Sequence, residues 1–347
     1  MKSNRKVTIQ MVADKAGVSK STVSRVISNS PDISDKTKEK VFAIMDELNY
    51  YPSAIARSLA NRTSKNIGLV LPADDDFFIN PFFQISLRAI SKTASSRGFD
   101  TLIVYNEDNE IASIKRVANA NKVDGVILMR SQIKDETVDY LKSRNIPFVL
   151  IGKSLDYDDI YSVDTDNIVA AKEVTQMLVD EGCKKIGFIG GDKGAVVTID
   201  RYEGYEEIVK NNGLLNSDKL VEENECTELN GSKSMEAILK ENEDLDGVVI
   251  TDALMCSGAI EYIYSSGFVD RLKQKKAEGI DNKFIIATFG ALKNIGEYNS
   301  GVMELLDVDV NCKEIGEMSC NKLIDILEGK EVEIMDLVDY SIKKSHV

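Results

Sequence analysis

Thr8-Ile-Gln-Met-Val-Ala-Asp-Lys-Ala-Gly-Val-Ser-Lys-Ser-Thr-Val-Ser-Arg-Val-Ile27 carries two apolar stripes at helical spacing, separated by a short turn. In the first half Ile9, Val12, Ala13 and Ala16 fall on one face of a helix. Gly17 follows at once, supplying the left-handed residue that ends many helices. Ser19 is placed as the N-cap of a second helix, whose buried stripe is Val23, Val26 and Ile27. The opposite face carries Lys20, Ser21, Ser24, Arg25 and Ser28, all hydrogen-bond donors, and no acid occurs between Lys15 and Pro31. A packed helix, a turn and a donor-rich second helix predict a helix-turn-helix suited to DNA. The competing reading is a small helical hairpin with a solvated basic face.

Charge distribution decides between the two. The chain has 43 Lys/Arg against 57 Asp/Glu, a net charge of −14, yet its first 65 residues hold 12 against 6. The remainder therefore holds 31 against 51. A cationic head on an acidic body favours phosphate at one end only.

Composition excludes several classes. No apolar stretch approaches the ~20 residues that span a bilayer, and MKSNRKVTIQ lacks the apolar run of a secretory signal. The expected location is cytoplasmic, with no membrane partner. Cys183, Cys226, Cys256, Cys312 and Cys320 are scattered, odd in number and free of any C-x-x-C, so they read as reduced thiols, mostly in the core. The single histidine, His346, removes Ser-His-Asp and Cys-His chemistry and histidine-rich metal sites. Gly190-Gly191-Asp192-Lys193-Gly194 lacks the spacing and hydroxyl of a phosphate loop. The chain is read as a non-enzyme without metal or cofactor.

Outward from the head, Ser34 is placed as cap of a third helix whose face is Val41, Ile44, Met45 and Leu48. Residues 53–60 form a two-turn helical pattern, marginal by itself in water, and residues 61–66 a linker. From Ile67, strand candidates alternate with amphipathic helices. The strands are Ile67–Leu71, Thr101–Tyr105, Gly125–Met129, Phe148–Ile151, Lys185–Ile189, Gly247–Thr251 and Phe284–Thr288. The helices include Gln84–Arg97, Val169–Glu181, Gly204–Asn211 and Ser232–Glu241. That rhythm predicts doubly wound α/β layers in two lobes with a ligand cleft between them. The expected domains are 1–51, the helix-turn-helix head; 52–66, hinge helix and linker; and 67–347, the two-lobed body. The lobe change is expected near 162–166 and a recrossing near 289–312.

These residues resemble the LacI/GalR family of bacterial transcriptional regulators. The head carries the resemblance through Thr8-Ile9, Val12-Ala13, Ala16-Gly17-Val18-Ser19, Thr22-Val23-Ser24-Arg25-Val26, Leu48-Asn49-Tyr50-Tyr51-Pro52 and Ala56-Arg57-Ser58-Leu59. The body adds Ile67-Gly-Leu-Val-Leu-Pro72, Asn80-Pro-Phe-Phe83, Val123-Asp-Gly-Val-Ile127 and Asp200-Arg201-Tyr-Glu-Gly204-Tyr205. Within the family, Ile146–Lys153, Val163–Ile168 and Val196–Tyr205 are similar to the maltose/maltodextrin-operon repressors of Gram-positive bacteria.

The resemblance implies a body like periplasmic sugar-binding proteins, a homodimer and a palindromic double-stranded operator. It implies repression of carbohydrate-utilisation genes, relieved by a sugar such as maltose or a maltodextrin. The alternatives are a different small molecule, a protein corepressor, or a solute-binding module. The second helix would enter the major groove, with Lys20 and Ser21 near its start and Arg25 suited to the paired acceptors of guanine. Thr8, Ser19, Thr22 and Ser24 would bond phosphate, and Asn29 joins the same surface. Ser53, Ala56 and Leu59 would sit in the minor groove, Leu59 as a wedge between base pairs. For Leu59 the other reading is a core contact in the head, and for Arg25 a phosphate contact.

On the effector side, Arg201 matches the family's sugar-gripping arginine. Its competing role is a surface ion pair with Asp200 or Glu203. Phe82 and Phe83 offer an aromatic face or core packing, and Asp166 and Asn167 offer cleft polar groups or a turn and helix cap. Asp252 matches a polar residue at a strand end. Two departures stand out: Ala253 where the family often has a second acid, and Gly290-Ala291 where it has Asp or Asn. Both remove hydroxyl partners from the second lobe.

Overall fold

The computed structural model describes residues 7–51, 63–71, 78–105, 110–279, 283–290 and 300–346. The hinge-helix residues Ser53, Ala56 and Leu59, and Ala291, lie outside the described residues. By contact density the chain divides into two units, residues 1–65 with 121–124, and residues 66–120 with 125–347.

The first unit is built on three helices, α1 (Ile9–Ala16), α2 (Lys20–Ile27) and α3 (Asp35–Glu47). Gly17 ends α1 at φ 65°, which a side chain would resist. Ser19 caps α2, its Oγ accepting from the Thr22 amide at 3.1 Å. Ser34 stands at the cap position of α3, but its hydroxyl meets Thr37 Oγ1 at 2.9 Å rather than an amide. Val12, Ala13, Ala16, Val23, Val26, Val41 and Met45 form the core, with Ile44 and Leu48 packed at its edge. In the same unit the Asp124 carboxylate gathers the Ser64 amide at 2.6 Å, the Lys65 amide at 2.9 Å and the Thr63 hydroxyl.

The second unit contains two six-stranded sheets. The first sheet has the order β11-β5-β4-β3-β1-β2, from β1 (Asn66–Val70), β2 (Asp100–Val104), β3 (Gly125–Leu128), β4 (Phe148–Ile151), β5 (Ser162–Asp164) and β11 (Met335–Leu337). The second has the order β12-β10-β9-β8-β6-β7, from β6 (Ile186–Gly190), β7 (Val221–Glu223), β8 (Gly247–Ile250), β9 (Phe284–Phe289), β10 (Met303–Asp309) and β12 (Ser341–His346). Every pairing is parallel except β10 with β12. Alternate side chains serve opposite faces, so Ile67, Leu69 and Leu71 all enter one core while Val70 is buried on the other side.

Helices cover both faces of each sheet. In the first lobe α4 (Pro81–Ser96) and α12 (Cys312–Leu327) share a core with β1, β3 and β4. There α5 (Glu110–Asn119) and α6 (Glu136–Ser143) bury Ile114, Val117, Val138 and Leu141. In the second lobe α7 (Asn167–Asp180) and α8 (Val196–Asn211) pack on one face. There α9 (Glu228–Glu241), α10 (Ala253–Ser265) and α11 (Phe268–Ala277) pack on the other. The chain passes between lobes at Thr165–Asp166 after β5, at Val310–Asn311 after β10, and at Asp339–Tyr340 between β11 and β12. The short β5, β7 and β11, the edge strand β12, and β10, whose apolar run is broken by Glu304 and Asp307, were not read as strands from the sequence.

None of the five cysteines forms a disulfide; four are buried and Cys226 is half-buried. Among the described residues no helix is long and apolar enough to cross a membrane. Helices α9 and α10 meet closely at Gly258, where a Cβ would come within 1.8 Å of the Glu228 carbonyl oxygen. Gly258→Ala should therefore cost about 1–3 kcal/mol or more through overpacking, read as a lower midpoint of thermal unfolding by circular dichroism. An unchanged midpoint would mean that the α9–α10 contact is looser than described.

Candidate functional site

On the first unit, α2 turns Lys20, Ser21, Ser24 and Arg25 to solvent, while Val23 and Val26 are wholly buried. Thr8, at the N-cap of α1, is exposed, as are Ser19 and Asn29. Asn29 takes φ 53°, a left-handed conformation that asparagine tolerates. Thr22 is half-buried, and its hydroxyl joins those of Ser19 and Ser21 in a cluster at 2.7–2.8 Å around the start of α2. Lys15 is engaged by Glu47 at 2.6 Å, so the cation on the far side of the turn is already paired. The donor face of α2 thus stands free of local carboxylates at a helix N-terminus, an arrangement that attracts phosphate.

On the second unit, a cavity of about 780 Å³ lies between the two lobes. Its walls are the carboxyl ends of the parallel strands and the first turns of the helices that follow, the usual ligand position in open α/β sheets. Phe82, Phe83, Asn167, Arg201 and Asp252 all line it. Asp166 does not. It is exposed and caps α7, its carboxylate accepting from the Val169 amide at 3.0 Å. Its expected place in the pocket is therefore corrected to a helix cap, and only its neighbour Asn167 reaches the cavity.

Arg201 is 9% exposed, which rules out the surface ion pair weighed for it. Its Nε donates to Asn167 Oδ1 at 2.9 Å and its Nη1 to the Thr251 carbonyl at 2.5 Å. The guanidinium lies 4.0 Å from the centre of the Phe289 ring. Burial draws its pKa down to about 10, so the charge persists at neutral pH. Asp200, the neighbour on α8, turns instead to Lys153 of the first lobe at 2.9 Å.

Asn80 and Asp252 are the caps of α4 and α10, one from each lobe. Asn80 accepts from the Phe82 amide through Oδ1 and donates from Nδ2 to Asp252 Oδ2 at 2.8 Å. Asp252 accepts from the Leu254 and Met255 amides through its other oxygen. Burial raises its pKa, opposed by Asn80 and those amides. Two backbone bonds also cross between the lobes, Ile133 N–H to the Gly194 carbonyl at 3.0 Å and Val196 N–H to the Ser131 carbonyl at 3.1 Å.

Sequence reasoning missed three features. Asn80 was quoted only as a motif, although a cap residue followed by Pro81 marks a helix start. Asp164, at the end of β5, accepts from the Thr165 amide and from Asn167 Nδ2, linking Arg201 through Asn167 to a lobe crossing. Arg130, after β3, sits between Glu110 and Asp135, and nothing local in the sequence links the three. Ala253 is buried, and Gly290 lines the cavity so close that a Cβ there would lie 3.5 Å from the Ala253 Cβ. The two departures form one apolar spot.

Convergent donors and acceptors, aromatic rings and a volume near the upper part of the ~300–1,000 Å³ range of small-molecule sites suit a polar, hydroxyl-bearing ligand. Among the described residues no group of three His, Cys, Asp or Glu could hold a metal ion. Residues 8–53 match the family described as bacterial regulatory proteins, lacI family, and residues 64–333 match periplasmic binding proteins and sugar binding domain of LacI family. The chain belongs to the LacI family of transcriptional regulators. It is 35% identical to the HTH-type transcriptional regulator MalR of Streptococcus pneumoniae over 329 residues, 94% of either chain. It is 34% identical to the ribose operon repressor of Halalkalibacterium halodurans, over 94% of this chain and 92% of that one. Among solved structures, the transcriptional regulator CelR–cellobiose complex is similar at a TM-score of 0.71, with 25% identity over 97% of this chain and 98% of that one.

Burial, with the nearby charge of Asp200 adding to it, pushes Asp164 up to about 7. A carboxyl raised on folding stabilises the folded state below its unfolded pKa of about 4, and that contribution is lost as pH rises through about 7. Asp164→Asn keeps the acceptor for Thr165 and Asn167 but removes the titration. The melting temperature of the variant relative to the parent should therefore climb between pH 4 and 7. A difference independent of pH would show that Asp164 does not titrate there.

Proposed function

We propose that this LacI-family regulator is a homodimeric, cytoplasmic repressor of carbohydrate-utilisation genes. In this reading it binds a palindromic operator and is relieved by a sugar such as maltose or a maltodextrin. The observation that carries the effector half is Arg201, a charged fork held inside the cavity by Asn167 and the Thr251 carbonyl. A planar guanidinium suits adjacent sugar hydroxyls, and the stacked ring of Phe289 fixes its plane. Phe82, Phe83, Asn167, Arg201 and Asp252 are the proposed effector contacts. The relatives named above, a MalR, a ribose operon repressor and a CelR bound to cellobiose, support sugar as the ligand class. All three are regulators, in keeping with a role without catalysis.

For the operator half, α2 is assigned to the major groove, with Arg25 reading guanine and Lys20 and Ser21 beside it. Thr8, Ser19, Thr22, Ser24 and Asn29 are assigned to phosphate, which fixes register without reading sequence. Ser53, Ala56 and Leu59 are assigned to the minor groove. The division into head (1–51), hinge and linker (52–66) and two-lobed body (67–347) belongs to the same reading. Sugar binding and operator binding would be coupled by about 1–3 kcal/mol, enough to change affinity several-fold to a hundredfold.

Fluorescence anisotropy on palindromes from the protein's own promoter region, at fixed salt, tests both halves. Maltose should weaken tight, specific binding. Arg25→Ala should cost about 1–3 kcal/mol on the best palindrome and relax its preference for guanine. A uniform loss across sequences would reassign Arg25 to phosphate. Arg201→Met should leave operator affinity intact and abolish the response to maltose. Binding that ignores maltose in the parent protein would overturn that effector, and sedimentation of a tetramer would overturn the dimer.

A further inference from the structure

We propose that Arg130, locked between Glu110 and Asp135 at the first-lobe end of the cavity, makes the site select an uncharged, hydroxyl-rich ligand and reject a phosphorylated one. The inference rests on the sugar reading above and narrows it to a charge class. Arg130 follows β3, Glu110 opens α5 and Asp135 caps α6, and all three line the cavity. Their side chains are 13%, 22% and 7% exposed, so the charges are mostly out of water.

The guanidinium is already spent. Its Nε donates to Glu110 Oε2 at 3.1 Å and its Nη2 to Glu110 Oε1, while Nη1 donates to Asp135 Oδ2. A phosphate ester needs such a fork free, since its oxygens accept and carry about two negative charges at neutral pH. Here it would meet a cluster of net negative charge. Arg201, held by Asn167 and the Thr251 carbonyl, has the carboxyls of Asp164 and Asp252 close by, and Lys134, exposed at the rim, is the third lining cation among the described residues. Carboxylates outnumber cations seven to three among the described lining residues.

The same cluster offers hydroxyl hydrogens somewhere to go. Glu110 Oε1 receives Arg130 and the Thr137 hydroxyl, and Asp135 Oδ1 receives the amides of Thr137 and Val138. Glu110 Oε2 and Asp135 Oδ2 each take one close bond from Arg130, and each carboxylate oxygen has two lone pairs. Among the described residues, one acceptor position on each takes no further bond and can receive a donor. A sugar hydroxyl supplies a hydrogen; a phosphate oxygen supplies none.

Isothermal titration of the full chain with maltose and with glucose 6-phosphate tests this, together with two variants. The parent protein should bind maltose and bind the phosphate ester weaker by about a hundredfold, as like-charge contacts at a desolvated site do. Glu110→Gln with Asp135→Asn keeps the shapes and one acceptor oxygen on each side chain but removes both negative charges beside Arg130, and should gain binding of glucose 6-phosphate. Adding Arg130→Met should erase the gain. Equal affinity of the parent for both ligands, or no gain in the double variant, overturns the assignment. If the parent binds neither maltose nor another uncharged sugar, the sugar reading falls. The gain or its absence in the double variant still decides whether the Arg130 cluster sets charge selection.

Discussion

Arg201 carries a permanent charge into a place from which solvent is nearly excluded, and much of the second unit is arranged to make that tolerable. A buried cation without partners is destabilising by several kcal/mol. Here the partners are a neutral amide oxygen, a backbone carbonyl and an aromatic face rather than a directly bonded carboxylate. The choice has a functional consequence. Amide and carbonyl oxygens satisfy the charge only in part, so further oxygen acceptors from a ligand still gain by approaching. A carboxylate paired directly with Arg201 would have closed that option, as Glu110 and Asp135 close it for Arg130.

Topology puts those partners where they are needed. Parallel strands end together, so the residues after β3, β4, β6, β8 and β9 converge on one cavity from two sheets. Three chain crossings join the lobes, and Asp164 stands at the first of them. Its bond to Asn167, and the bond from Arg201 to Asn167, make a continuous polar path from the cavity to that crossing. Asn80 and Asp252 form a second link, in which each side chain caps its own helix and bonds the cap of the other lobe. Movement of one lobe against the other must strain or break these bonds, along with the Lys153–Asp200 pair. A ligand that alters the balance among them has a physical route to altering lobe position.

Legibility in the sequence followed the range of the forces involved. The head was readable nearly residue by residue, because α1, the turn at Gly17, the Ser19 cap and α2 are all specified within a few positions of one another. Most of the central strands were readable too, as continuous apolar runs buried on both faces, but β10, whose run is broken by Glu304 and Asp307, was not. The short β5, β7 and β11 were not, since three residues carry no periodicity and exist by pairing with distant neighbours. The cavity divided along the same line. Arg201 and Asp252 could be placed from motifs, and Asp166 was misplaced because a cap and a pocket carboxylate look alike in sequence. The Arg130 cluster depends on residues 20 and 5 positions apart meeting in space, with no local pattern to announce it.

The two departures in the second lobe and the charged cluster in the first bear on one another. Where the family pattern supplies acid or amide groups after Asp252 and after Phe289, this chain has Ala253 and Gly290, which abut. Among the described residues, Gly290 and the Ala253 behind it bring no side-chain hydrogen-bonding group, and a ligand hydroxyl left without a partner there would lose about 1–3 kcal/mol. The polar side chains lining the cavity on that side include Arg201, Asn167 and Asp252. The first lobe compensates in kind, because Glu110 and Asp135 present fixed acceptor edges whose orientation Arg130 holds. Locked groups lose little entropy when a ligand arrives, so they discriminate more sharply than free side chains would. An apolar spot on one wall and a rigid acceptor edge on the other thus favour a ligand with unlike ends, one placed by ring contact and the other by its hydroxyls.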